Sequence, residues 1–146
     1  PLNKNIEIER QLTNNNATVP SRKHDSDIGY DISSSVDVLI PSKEVQLINT
    51  GIAINLPNQC AGFVLPRSGL ASKNKITLIN SPGLVDPGYT GELMVPLINH
   101  GSTDYQISIG DRIAQLVLIN TNSVEFKIVD NLPDTERSTG GFGSTD

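Results

Sequence analysis

The chain has no tryptophan, one cysteine and two histidines, and aromatic residues make up only 4% of it. With Cys60 alone there is no internal disulfide, and His24 and His100 lie too far apart, without companions at ligand spacing, to suggest a zinc site. So few aromatics leave the interior to Ile, Leu and Val, which favours a tightly filled β fold over an aromatic cage. Positive charge is also short: 11 Lys and Arg against 16 Asp and Glu give a net charge of −5. A long nucleic acid needs a basic face, so no direct nucleic-acid binding is expected. A small phosphorylated ligand is compatible with this balance, because a few arginines, a helix start, backbone N–H groups and a divalent cation can hold it. No apolar run approaches the length that crosses a bilayer and nothing at the N-terminus reads as a signal peptide. The expected setting is therefore soluble and intracellular, cytoplasmic or nuclear, with no membrane partner.

What is present is alternation and punctuation. At 146 residues the chain is long enough for one domain with a sizeable core. Apolar residues alternate at Ile6/Ile8, Val36/Val38/Ile40, Val45/Leu47, Ile52/Ile54, Phe63/Leu65, Ile76/Leu78, Leu93/Val95/Leu97, Ile107/Ile109, Ala114/Leu116/Leu118 and Val124/Phe126/Ile128. A period of two predicts strands, and the Pro, Gly and Asn breaks between them predict a compact antiparallel sandwich or barrel. No long amphipathic helix is visible; the best short one follows Pro66-Arg67-Ser68 and runs over Gly69–Lys73, with Ser68 as its N-cap. From about Asn131 the pattern stops. The tail after Glu136 mixes Arg137, Phe142 and hydroxyls with glycines, and reads either as a disordered end or as an arm that orders on a ligand.

The segment Asn80–Leu93 is the most informative one. Pro82 and Pro87 fix φ, and Gly83, Gly88 and Gly91 open backbone angles closed to other residues, so this is a shaped hairpin between the strands at Ile76–Ile79 and Leu93–Leu97. Such a hairpin presents backbone N–H and C=O groups at fixed positions beside Asp86 and Tyr89, which suits reading the edge of a flat ligand. In isolation, Asp86-Pro87-Gly88 would be an ordinary turn whose aspartate bonds its own backbone.

Five segments in fixed order resemble the trimeric dUTPase family: Asp27-Ile28-Gly29-Tyr30-Asp31-Ile32, Pro66-Arg67-Ser68-Gly69-Leu70, the Asn80–Leu93 hairpin, Gly110-Asp111-Arg112-Ile113-Ala114-Gln115-Leu116, and the Arg137–Thr145 tail. The resemblance implies an all-β jelly roll (β-clip) with one short helix, and a homotrimer with active sites at its interfaces. It also implies a body over residues 1–136 and a flexible arm, 137–146, lent to a neighbour and closing over the site. The implied reaction is hydrolysis of dUTP to dUMP and pyrophosphate with magnesium, which keeps uracil out of DNA and supplies dUMP. Asp86 then matches the aspartate that deprotonates a water for in-line attack on the α-phosphorus. Tyr89 matches the ring beneath the sugar that leaves no room for a 2′-hydroxyl. Asn80, with hairpin backbone at Gly83 and Val85, matches the reader of the uracil edge, since an amide both donates and accepts. Arg67, Ser68, Gly69 and Gln115 match phosphate contacts, and Asp31 matches the magnesium site, held through water. Arg112 is expected to form a structural ion pair with Asp31, and Asp27, Asp111 and Glu92 to be turn or scaffold groups. Arg137, Gly143, Ser144 and Thr145 match a γ-phosphate grip and Phe142 a ring that stacks on uracil. Ser138 and Asp146 stand where the family pattern has glycine, and the Asp146 carboxylate is expected to weaken arm closure by repulsion.

Two rivals have different chemistry. A dCTP deaminase shares the fold and a similar hairpin, but its acid/base glutamate falls where this chain has Pro96, which can do no proton chemistry. A catalytically weak relative that binds a regulatory protein is the other, and such a partner is compatible with hydrolysis as an added role.

Overall fold

The structure, a computed structural model, describes residues 6–145; the expectations for residues 1–5 and for Asp146 lie outside them. Ten strands and one helix follow in order: β1 (Glu9–Leu12), β2 (Tyr30–Ser33), β3 (Val38–Ile40), β4 (Val45–Asn55), β5 (Cys60–Leu65), α1 (Ser68–Asn74), β6 (Ile76–Leu78), β7 (Gly83–Val85), β8 (Glu92–Asn99), β9 (Tyr105–Ile107) and β10 (Arg112–Asn120). They form two four-stranded sheets, ordered β1-β4-β8-β6 and β2-β10-β5-β7, and a two-stranded ribbon β3-β9. All the pairings are antiparallel, and no two paired strands are consecutive in the chain, so each sheet is assembled from distant segments. The jelly-roll class read from the sequence is the one observed.

Between the sheets lies a single aliphatic core. Ile32, Ile40, Ile48, Ile76, Val95, Leu97, Ile107 and Ile113 are essentially inaccessible, and the aromatics Tyr30 and Tyr105 only flank them. Strand β8 states the rule most clearly: Leu93, Val95, Leu97 and Asn99 point inward in alternation. Asn99 occupies an apolar phase yet is fully satisfied. Its Nδ2 donates to the carbonyls of Ile40 and Thr103, and its Oδ1 accepts from the Gly101 N–H. One side chain thereby joins the β8 end, the ribbon and the turn that follows.

Several expectations need correction. The Ile6/Ile8 strand sits later, at Glu9–Leu12, where an edge of β4 is available to pair with. The runs Val45/Leu47 and Ile52/Ile54 are one strand, bulged at Gly51, which takes a φ of 70°. Strand β7 lies inside the Asn80–Leu93 segment and β2 overlaps the Asp27–Ile32 motif, neither of which the alternation marked as a strand. The helix is where expected, but its N-cap is Arg67 in extended backbone, and no side chain caps it. Ser68 is the first helical residue, from which a hydroxyl cannot reach the amides ahead of it. Finally, Val124/Phe126/Ile128 is not a strand: regular structure ends at Asn120, and Phe126 and Ile128 are 92% and 95% exposed. Period two marks a strand only when a neighbour exists, and among the described residues none pairs with it.

Asn99→Ala would leave two carbonyls and one amide without their partner in the core. Urea unfolding is expected to show a loss of about 3 kcal/mol, the scale of a few unsatisfied buried groups.

Candidate active site

The candidate residues fall into three groups, and the first is the hairpin. Strand β7 pairs with β5 through Gly83 opposite Val64 and Val85 opposite Gly62, which seats the segment before its turn. The turn itself is closed by the Tyr89 N–H donating to the Asp86 carbonyl at 3.2 Å, and is tied to the body by the Gly88 N–H donating to the Leu56 carbonyl at 3.3 Å. Asn80, Gly83, Val85, Asp86 and Tyr89 line one pocket of about 220 Å³, with Glu92, Met94 and Pro96 on its walls. Buried Val64, Leu78 and Leu93 complete it, so apolar surface lies beneath polar groups, the arrangement that orients a flat ring. The hairpin glycines serve different needs from one another. Only Gly88 has a positive φ, 80°. Gly83 sits in a strand, while a Cβ on Gly91 would come within 2.5 Å of the Tyr89 hydroxyl and 2.7 Å of its ring. Gly91 is thus the space into which the Tyr89 side chain folds, with its hydroxyl donating to the Glu92 carbonyl at 3.2 Å.

The second group is made by sheet register. Asp31 on β2 faces Gln115 on β10, and Gln115 faces Leu65 on β5, so one crosswise row carries residues from three distant segments. Where β5 leaves this row it continues through Pro66 into Arg67, Ser68 and Gly69. The Gln115 amide donates to the Pro66 carbonyl at 2.9 Å, fixing that exit. Arg67 Nε lies 3.4 Å from one Asp31 oxygen and Arg112 Nη1 lies 3.5 Å from the other. Arg67 also donates to the Arg112 carbonyl at 3.4 Å. The Asp31 N–H donates to the Ser21 carbonyl at 2.7 Å, which pins the preceding loop over the row. The expected Asp31–Arg112 ion pair is present, and Asp31 is shared with Arg67 as well. Ser68 and Gly69 are exposed at the helix start, and a Cβ added at Gly69 would meet nothing within 4 Å.

The third group is the tail, which turns on itself. Arg137 Nε donates to the Gly140 carbonyl at 2.9 Å, and the Gly140 and Ser144 N–H groups donate to the Arg137 and Gly141 carbonyls. Phe142 and Gly143 have φ of 51° and 81°, and the Phe142 ring is fully exposed. Arg137, Phe142, Gly143, Ser144 and Thr145 line a concavity of their own, which shares no residue with the hairpin pocket or with the groove at Arg67 and Arg112. The single chain therefore gathers each group but does not join the tail to the other two.

Among the described residues no three His, Cys, Asp or Glu side chains gather as a metal cage. Sequence reading gave Glu92 a scaffold role and missed its place on the pocket wall beside Asp86. No local signal marks it, since its partners Thr13 and Asn49 are 79 and 43 residues away. Pro96, already excluded from proton chemistry, stands on the same wall.

Comparison with known proteins agrees with this geometry. The family model described as dUTPase matches residues 15–146. The chain belongs to the dUTPase family. Among its dUTPase relatives, the deoxyuridine 5′-triphosphate nucleotidohydrolase of Gloeothece citriformis is 49% identical over 129 residues, spanning 88% of this chain and 89% of that protein. That of Clostridioides difficile is 42% identical over 141 residues, 97% of each. Among solved dUTPases, a mutant of the Staphylococcus bacteriophage 80alpha enzyme with dUpNHpp superposes with a TM-score of 0.90 at 29% identity, covering 95% of this chain and 98% of that one. A mutant of the phage phi11 enzyme, which coordinates a structural Mg(II) ion, superposes with a TM-score of 0.83 at 28% identity, covering 88% and 100%.

Gly91→Ala and Gly88→Ala separate two constraints on this dUTPase hairpin. The first drives a methyl into the Tyr89 ring, and the second strains a backbone angle by about 1 kcal/mol while leaving the ring in place. Steady-state dUTP hydrolysis is expected to fall roughly tenfold or more in Gly91→Ala and to change much less in Gly88→Ala.

Proposed function

We infer that this chain is a dUTP diphosphatase that releases dUMP and pyrophosphate, with Asp86 as the base that takes a proton from the attacking water. The observation that carries this is the pocket in which Asp86, Tyr89 and Asn80 stand together on one braced hairpin. A carboxylate there orients a water and accepts its proton as the oxygen attacks the α-phosphorus in line, and pyrophosphate leaves on the opposite side. Tyr89 packs under the deoxyribose and excludes a 2′-hydroxyl. Asn80, with backbone groups at Gly83 and Val85, bonds the imide edge of uracil. The phosphates lie toward Arg67, the Ser68 hydroxyl, the Gly69 backbone and Gln115, whose neighbourhood is set by the Asp31 row.

The donor set suits magnesium of a particular kind. One carboxylate cannot cage the ion, but magnesium commonly keeps most of its waters and takes its other ligands from substrate phosphates. Asp31, 24% exposed, has its two oxygens beside arginines at 3.4 Å and 3.5 Å and retains lone pairs for an ion's water shell. When bound, the cation offsets phosphate charge and orients the chain of phosphates.

The working assembly is a homotrimer in which residues 1–136 form the body and residues 137–146 an arm that closes over a neighbour's hairpin. In that closure Phe142 covers the uracil, and Arg137, Gly143, Ser144 and Thr145 surround the γ-phosphate. The exposed apolar stretch at Val124–Leu132 that leads to the arm supports such an assembly. No helix among the described residues is long and apolar enough to cross a membrane, and the activity belongs with soluble nucleotides in cytoplasm or nucleus.

Pyrophosphate release from dUTP by Asp86→Asn is expected to fall by about 10²–10⁴ with dUTP binding retained in calorimetry. Binding lost together with turnover, or ammonia released from dCTP by the wild type, would overturn the assignment. Deleting residues 137–146 is expected to leave thermal unfolding unchanged, since the hydrogen bonds of its described residues run within 135–144, and to lower kcat/KM by about 10²-fold.

A further inference from the structure

Strands β4 and β8 lose register beside the hairpin. Asn49 faces Met94 and Ala53 faces Glu92, four steps on β4 against two on β8. The surplus residues bulge at Gly51, whose φ is 70°, and side chains take over from the ladder there. Asn49 Nδ2 donates to Glu92 Oε2 at 2.6 Å, Thr13 Oγ1 donates to Glu92 Oε1, and Thr50 Oγ1 donates to the Leu93 carbonyl at 2.6 Å. Thr13 is itself fastened by its N–H donating to the Gly51 carbonyl at 2.7 Å. Both Glu92 carboxylate oxygens are thus engaged by donors from two separate segments, while the backbone carbonyl of the same residue accepts the Tyr89 hydroxyl.

We propose that Glu92 is a positioning residue: clasped by Thr13 and Asn49, it fixes the Tyr89 ring and so sets the enzyme's discrimination between dUTP and UTP. The proposal rests on the reading of Tyr89 as the ring beneath the sugar. Its two carboxylate oxygens being taken, Glu92 acts through its carbonyl and not on the substrate. Hydrogen bonds to a carboxylate are the stronger kind, and these two replace a regular ladder at the point where the hairpin joins the body. Without them the Glu92 peptide is free to turn, and the ring that leans on it leaves the position it holds against Gly91. Selection by excluded volume is steep in position, because a small retreat of the ring admits a hydroxyl that the native position would clash with and desolvate.

The test measures kcat and KM for dUTP and UTP in wild type, Glu92→Ala, Glu92→Gln and Thr13→Val, each also in a Tyr89→Ala background. Glu92→Ala is expected to lower the dUTP/UTP ratio of kcat/KM about tenfold. Glu92→Gln, which keeps an acceptor oxygen, should recover part of it, and Thr13→Val should move the ratio in the same direction by less. With Tyr89→Ala present, the Glu92 effect should vanish, which a general loss of stability would not produce. An unchanged ratio in Glu92→Ala and Thr13→Val, alongside a collapsed ratio in Tyr89→Ala, overturns the proposal and leaves the reading of Tyr89 intact. An unchanged ratio in Tyr89→Ala overturns both. If Glu92→Ala does not fold, Thr13→Val carries the same two outcomes, since it removes one contact at an exposed position.

Discussion

Strand β5 is the tie on which the site depends. It pairs with β10 on one side and β7 on the other, and then runs directly into Pro66, Arg67 and helix α1. Through β10 it reaches Asp31, through β7 it seats the Asp86 hairpin, and its own exit delivers Arg67 and Ser68. Antiparallel pairing fixes which residues stand opposite one another, and a slip of one residue would turn every side chain to the wrong face. The buried partners Val64, Val85 and Leu116 hold that register against slippage. The placement of these residues within the chain is therefore a consequence of core packing in one sheet.

Acidic and basic groups are distributed accordingly. Asp31 sits between Arg67 and Arg112, so two cations that would otherwise repel one another are held in place by a carboxylate. At 24% exposure such pairs contribute little to stability, typically below about 1 kcal/mol each, and their value lies in orientation. Asp86, by contrast, stands in a pocket lined by no Lys or Arg, with Asn80, Tyr89 and the Glu92 carboxylate above aliphatic side chains. One aspartate is engaged by guanidinium groups and the other is the one that holds the water in the proposed reaction, a division that follows from which strand end carries each.

Much of this was legible from residue order. Alternation located β3, β5, β6, β8 and β10, and Pro and Gly marked the hairpin, because burial on one face of a sheet writes itself into every second residue. The two-residue slip between β4 and β8 was not legible, since a bulge depends on what the partner strand does and Gly51 alone does not announce it. The Glu92 clasp was hidden for the same reason: its partners are remote in sequence. The N-cap assignment at Ser68 failed on a one-residue offset, the usual scale of error at helix ends. The freed Ser68 hydroxyl is more useful to the proposed phosphate site than a capping one would be.

The failed strand at Val124/Phe126/Ile128 is the most instructive discrepancy. Alternation there is as regular as in β8, yet Phe126 and Ile128 are 92% and 95% exposed. Burying such side chains would contribute about 1.5–3 kcal/mol each. Association itself costs an estimated ~4–15 kcal/mol, so this stretch alone cannot hold two chains together and needs the broader body interface beside it. Strand periodicity in a stretch left unpaired among the described residues is what the proposed assembly would use. That reading joins the unpaired stretch to the detached tail beyond it: the same span that leaves the body without a neighbour carries Arg137 and Phe142 away from their own hairpin. In the proposed trimer the apolar stretch seats the span on an adjacent subunit. The Gly-rich arm then needs to close only over a short distance, which reduces the ordering entropy that substrate binding must overcome.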